Sequence, residues 1–302
     1  VTLPLFVIGG PTAVGKSALA LALAPLLNAE IVNADSQQVY RGMDVGTGKP
    51  TLEERSIVPH HLYDVADPWE QLDAGQFTRE ADVRIAEIVA RGRRVIVVGG
   101  TGLWIRALVR GLVDAPTRDH AFRKDLREEA ARIGWQALHE RLRAVDPVTA
   151  ARIGATDPIR IERALEVHAL SGLPLSELHA RHQRLPPRYE AVSLGIDVPM
   201  PELEQRIQRR VRAMFAQGLL AETNRLAEDP RAVMRLDRIM GYREALMLAR
   251  GELSRDEAMA ATIKAQRQYA KRQKTWFRGE GHWRWLTESE LSNPAALVAE
   301  IS

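Results

Sequence analysis

The chain has 302 residues, 45% of them hydrophobic, enough to bury one large core or a main core with a smaller satellite domain. No apolar run approaches the roughly 20 residues that span a bilayer, and the eight residues ahead of the first glycine are too few for a secretory leader, so no membrane partner and a cytoplasmic protein are expected; a monomer is taken as the starting expectation, on no sequence feature. The lack of cysteine excludes disulfides and thiolate metal sites, the net charge of +3 argues little about nucleic acid, and a first residue other than methionine suggests a trimmed start. Six of the 42 basic side chains are lysine and the rest arginine, whose planar fork suits phosphate oxygens; an arginine-biased genome would give the same composition.

Apolar residues 3–8 predict a buried strand, and residues 17–27, rich in alanine and leucine, predict a helix. Between them lies Gly10-Pro11-Thr12-Ala13-Val14-Gly15-Lys16-Ser17. Strand, glycine loop and helix in this order fit the P-loop pattern, in which backbone N–H groups wrap an anion at the positive end of a helix dipole. Lys16 supplies a charge for terminal phosphates and Ser17 a hydroxyl for Mg²⁺. The loop alone leaves open whether the diphosphate belongs to ATP, as in a nucleotide-binding kinase, or to another molecule.

A second strand, 30–32, leads into Asn33-Ala34-Asp35-Ser36-Gln37-Gln38. Ligands of open parallel sheets sit beyond the carboxyl ends of the strands, so Asp35 and Ser36 are expected beside the phosphate loop. A carboxylate there serves as proton acceptor, or else as helix cap or Mg²⁺ ligand. After a helix at 75–90 and a strand at 95–98 comes Gly99-Gly100-Thr101-Gly102-Leu103-Trp104, where an ordinary ATPase would carry a Walker B aspartate. Thr101 can donate a neutral hydrogen bond to a phosphoryl oxygen, or simply cap the helix that follows. His60-His61 lacks the spacing of a helical metal pair and reads as structural.

Residues 112–187 show helical periods at 119–133, 135–145 and 158–170 with no convincing strand, bracketed by Asp114-Ala115-Pro116 and Leu185-Pro186-Pro187. They read as an all-helical insertion domain in a P-loop core of 1–111 and 188–302. A last strand at 191–196 and helices at 201–227, 241–250 and 255–277 complete the chain. In the last of these, Lys264, Arg267, Lys271, Lys274 and Arg278 recur every three or four residues with no acid between, placing five charges on one face. Interleaved Tyr269, Trp276 and Phe277 offer stacking surfaces for bases, or the core side of a solvated helix.

Taken together, Gly10 to Ser17, Asp35-Ser36-Gln37-Gln38-Val39-Tyr40-Arg41-Gly42-Met43-Asp44, Gly99 to Leu103, Asp157-Pro158 with Arg160 and Arg163 to Val167, Gly241-Tyr242-Arg243, and Lys271-Arg272-Gln273 with Thr275-Trp276 resemble the bacterial tRNA dimethylallyltransferases (tRNA isopentenyltransferases) in order and over nearly the whole chain. The resemblance implies an α/β fold, a P-loop NTPase-like parallel sheet core with a helical insertion and a helical C-terminal region. It implies transfer of a dimethylallyl group from its diphosphate, with Mg²⁺, to N6 of the adenosine 3′ of a tRNA anticodon. By the same resemblance Asp35 is the general base, Thr101 sits near the bridging oxygen and Arg210 clamps the diphosphate. Asp35, Ser36, Gln37, Gln38, Thr101, Arg123, Ile159, Arg160, Ile161, Glu162 and Arg163 are then expected to meet the tRNA anticodon stem-loop, with Lys264, Arg267, Lys271, Arg272 and Lys274 on the basic helix. Ile159 stands where glutamine is frequent in the family and Trp104 where tyrosine is usual, and the cysteine zinc finger of eukaryotic relatives is missing.

Overall fold

A computed structural model describes residues 4–301, which form two compact units, Val1–Arg110 with Arg188–Ser302 and Gly111–Pro187. In the first unit, β1 (Leu5–Gly9), α1 (Lys16–Leu27), β2 (Ala29–Asn33), α2 (Leu52–Ile57), β3 (His60–His61), α3 (Ala74–Ala90), β4 (Arg94–Gly99) and α4 (Gly102–Arg110) follow one another. The second unit holds α5 (His120–Ile133), α6 (Trp135–Val145), α7 (Pro147–Arg152), α8 (Pro158–Ser171) and α9 (Leu175–Gln183). The chain then returns to the first unit as β5 (Ala191–Ile196), α10 (Met200–Ala216), α11 (Leu219–Ala227), α12 (Pro230–Leu236), α13 (Tyr242–Ala249), α14 (Arg255–Gly279), β6 (Arg284–Leu286), α15 (Glu288–Ser292) and α16 (Pro294–Ile301).

The six strands make one parallel sheet in the order β3-β2-β4-β1-β5-β6. Every residue of β1 and β2 is buried, as continuous apolar runs covered on both faces require. Of the expected strands, 191–196 is reproduced, 30–32 and 95–98 each gain one residue at either end, and 3–8 is shifted to Leu5–Gly9, with Pro4 outside the strand and Leu3 outside the described residues. Two edge strands, β3 and β6, were not legible as apolar runs. The helix expected over 201–227 is two helices, because Gly218 at φ +105° turns the chain between α10 and α11. Registers Gly9↔Gly99 and Gly9↔Gly195 align the ends of β1, β4 and β5, so the loops that follow them leave the sheet at the same edge.

The second unit has its own core, with Leu126, Leu138, Leu142, Ile161 and Leu165 at its centre. Buried ion pairs brace it. Arg123 grips Glu166 through Nε and Nη2, both at 2.7 Å, and Glu162 through Nη1 at 3.0 Å, while Arg127 also reaches Glu162. Burial by itself would raise the Glu166 carboxyl, but hydrogen bonds from Arg123, Arg163 and the Asp119 N–H prevail and hold it at about 2.

Candidate active site at the strand ends

The phosphate loop leaves β1 and enters α1 through Gly15, whose φ of +101° is left-handed. No side chain caps α1 and no acid lies in its first turn, so its leading N–H groups are left to an anion. Lys16 folds across the loop, its Nζ donating to the Pro11 carbonyl at 2.6 Å. Burial, aided by Arg210 and opposed by Asp35, lowers its pKa to about 8. Ser17 is exposed at the start of α1.

Asp35 sits where β2 ends. Its N–H donates to Asn33 Oδ1 at 3.0 Å, and its Oδ1 accepts the Gln37 N–H at 2.9 Å. The second oxygen, Oδ2, lies 3.6 Å from where a Cβ on Gly100 would stand, so the carboxylate faces the turn after β4. Thr101 joins that turn to the Asp35 loop: its Oγ1 accepts the Ser36 N–H at 2.9 Å and donates to Ser36 Oγ at 3.2 Å. It also begins α4, with its carbonyl accepting the Trp104 N–H at 2.9 Å. No acidic side chain follows β4, and the approach of the Gly99 backbone to Ala34 leaves no room for one: a Cβ there would lie 2.2 Å from the Ala34 carbonyl oxygen.

Arg210 reaches this site from α10. Its Nη1 donates to Thr12 Oγ1 at 3.1 Å and its Nη2 to the Thr47 carbonyl at 2.8 Å, so the guanidinium spans the phosphate loop and the loop after Met43. Burial lowers its pKa, against the pull of Asp35. Of the neighbouring arginines, Arg206 binds the Val14 carbonyl at 3.1 Å and Arg209 faces solvent. The spacing did not single out Arg206. Nor did it reveal Glu222, which accepts the N–H groups of Asp44, Val45 and Gly46 and the Tyr242 hydroxyl, fixing the loop that presents Thr47.

The other candidates divide. Gln38 turns inward, its amide donating to the Thr47 and Gly48 carbonyls. Ser36 and Gln37 remain half-buried at the site. In the second unit Ile159 and Arg160 are exposed, whereas Ile161 and Glu162 are buried on the inner face of α8, Ile161 in the core and Glu162 paired with Arg123 and Arg127. Arg123 and Arg163 are likewise engaged, the latter with Glu166 and the Pro116 carbonyl. On α14 the five charges do share a face, but acids from outside the helix meet three of them. Arg267 pairs with Glu204, and Lys274 and Arg278 with Asp197. Lys264 and Lys271 point to solvent, and Arg272 stacks on Tyr269. Phe277 is fully buried edge-on between Trp276 and Trp283, so it cannot stack on a base; Trp104 likewise lies inside, on Phe77. His61 binds Glu30 at 2.7 Å and His60 the Val58 carbonyl, a structural use as expected. Among the described residues no cluster of three His, Cys, Asp or Glu could hold a metal, and no helix is long and apolar enough to cross a membrane.

The family model described as IPP transferase matches residues 38–280. The chain belongs to this family. It is 52% identical over 297 residues to the tRNA dimethylallyltransferase of Anaeromyxobacter dehalogenans (strain 2CP-C), covering 98% of each, and 49% identical to that of Geobacter metallireducens, covering 93% and 92%. The full-length tRNA isopentenylpyrophosphate transferase of Bacillus halodurans superposes with a TM-score of 0.70 at 35% identity, covering 98% of this chain and 96% of that one. A eukaryotic dimethylallyltransferase acting on tRNA superposes at 0.78 with 28% identity, covering 98% and 77%. The IPP transferase family match begins just behind Asp35, so the phosphate loop and the carboxylate stand on the geometry described above and on these full-length relatives.

Proposed function

We propose that this chain is a tRNA dimethylallyltransferase that moves the dimethylallyl group of dimethylallyl diphosphate onto N6 of the adenosine 3′-adjacent to the anticodon and releases diphosphate. The observation that carries the reading is the junction of Asp35 and Thr101 with a phosphate loop spanned by Arg210, at strand ends that lack a Walker B acid. Adenine N6 is a poor nucleophile because its lone pair is delocalised into the ring, so alignment and a proton acceptor both matter. Asp35, with Oδ1 anchored by Gln37 and Oδ2 turned to the site, accepts the N6 proton as the new N–C bond forms. The C–O bond to diphosphate breaks, and its electron pair leaves with the diphosphate. Lys16, Arg210 and the first-turn N–H groups of α1 neutralise that charge. Thr101 would turn its hydroxyl hydrogen from Ser36 Oγ to the bridging oxygen when the substrate binds.

An exposed serine at the start of a phosphate-binding helix fits Mg²⁺, which takes few protein ligands when a substrate supplies phosphate oxygens. Ser17 would hold it, and the ion would add charge neutralisation on the leaving group. An adenosine stacked in an anticodon loop is out of reach, so the base is flipped out before transfer. The enzyme acts in the cytoplasm as a monomer.

Incubation with dimethylallyl diphosphate, Mg²⁺ and an anticodon stem-loop bearing adenosine at that position should yield N6-dimethylallyladenosine by mass spectrometry of the nucleosides. Absence of that product, with γ-phosphate transfer from labelled ATP to a small acceptor, would overturn the reading in favour of a kinase.

A further inference from the structure

Two loops of the site meet through one side chain. The Gln273 carboxamide on α14 is 6% exposed; its Oε1 accepts the Thr12 N–H at 2.8 Å and its Nε2 donates to the Gly100 carbonyl at 2.8 Å. Thr12 also receives Arg210 on its hydroxyl, and Gly100 leads directly into Thr101. A Cβ on Gly100 would stand 2.4 Å from Nε2, so the amide needs a bare glycine opposite it. Elsewhere on the same helix, Trp276 and Phe277 pack against Gly102 and Gly9 at ideal-Cβ distances of 2.2 and 2.7 Å. Helix α14 therefore lies against both loops without slack. Only a tip with one donor and one acceptor satisfies both partners: asparagine is a methylene short, and glutamate sets a second acceptor against the Gly100 carbonyl.

We propose that Gln273 is a positioning residue for group transfer. It fixes the separation between the diphosphate cradle and the Asp35–Thr101 side, and it aims Arg210 through Thr12. The inference rests on the prenyl-transfer reading and adds to it a residue that touches neither substrate. Misplacement by about 1 Å costs on the order of 10²-fold in rate. Lys16 and the first-turn N–H groups do not depend on the amide, so binding of diphosphate survives its loss.

The test compares the full chain with Q273L, Q273E and G100A and with the Q273L/G100A double variant, measuring stem-loop prenylation and counting intact cradles by calorimetric binding of inorganic diphosphate. Each single variant is expected to lower kcat per intact cradle by at least about 10-fold while KM for both substrates stays within about threefold. Because Gly100→Ala displaces the same amide, the double variant should be no slower than the slower single one within about twofold. Q273E keeps the volume and serves if Q273L does not fold. An unchanged kcat per cradle, a KM rise that accounts for the loss, or losses that multiply in the double variant would each overturn the assignment. A wild-type chain that makes no prenylated adenosine would instead overturn the functional reading beneath it.

Discussion

Replacing Glu222 by alanine should unfasten the loop that presents Thr47 to Arg210. The carboxylate is 6% exposed and accepts four hydrogen bonds: Asp44 N–H at 3.0 Å, Val45 N–H at 2.9 Å, Gly46 N–H at 3.1 Å and Tyr242 O–H at 2.6 Å. The bonds from Gly46 and Tyr242 are fully buried, and each donor stranded away from water costs about 1–3 kcal/mol. Water reaches the half-buried amides of Asp44 and Val45, which add on the order of 1 kcal/mol together. The expected loss is therefore about 3–7 kcal/mol, a large part of the roughly 5–15 kcal/mol that holds a protein folded. Tyr242→Phe removes one donor and leaves the three amides on the carboxylate, so about 1–2 kcal/mol is expected. Equilibrium urea unfolding gives the totals, and native-state hydrogen exchange at residues 44–46 localises them. A loss below about 1 kcal/mol for Glu222→Ala, or undiminished amide protection, would refute the claim that this carboxylate holds the loop.

Four further outcomes are expected. Asp35→Asn should lower kcat by about 10²-fold or more with a smaller change in stem-loop affinity, checked by steady-state kinetics beside a binding titration. With the Lys16 pKa at about 8 in the free enzyme, its charge is present below that pH and lost above it, so kcat/KM for dimethylallyl diphosphate should fall tenfold per pH unit on the alkaline side, and Lys16→Met should abolish that limb. Glu166 has a folded pKa near 2 against 4.5 unfolded, so its stabilisation, on the order of 3 kcal/mol, is complete above pH 4.5 and vanishes as the pH falls through 2; acid titration of Glu166→Gln should lack that component. Lys271→Ala should reduce the salt dependence of stem-loop binding by about 0.7–1 in log–log slope, whereas Arg278→Ala, whose charge Asp197 already meets, should change it less.

What could be read in advance depended on whether the signal was local. The phosphate loop and the Gly99–Thr101 turn were legible because glycine and lysine at fixed offsets between a strand and a helix are set by adjacent backbone. β3 and β6 were not, since two- and three-residue edge strands carry no apolar run. The charges of α14 misled in part, because the acids that meet them stand at Asp197, just after β5, and at Glu204 on α10, whose approach to that helix no spacing along it announces. In α8, helical periodicity favours an inner face for Ile161, but the inward Glu162 makes sense only once Arg123 and Arg127 arrive opposite it. Gln273 carried no charge and no periodic cue; its use appears only when Thr12 and Gly100 are brought to either side of it.

The bond between Thr12 and Gln273 joins positions 261 residues apart, and β1 also waits for β5 to cover its second edge. During synthesis the glycine loop leaves the ribosome early and stays unfinished until nearly all of the chain has followed it. A nascent or truncated chain ending before α14 thus carries the phosphate-binding sequence but not its assembled ceiling. The loop's last tie to the rest of the fold is therefore made late, when α14 brings Gln273 against Thr12.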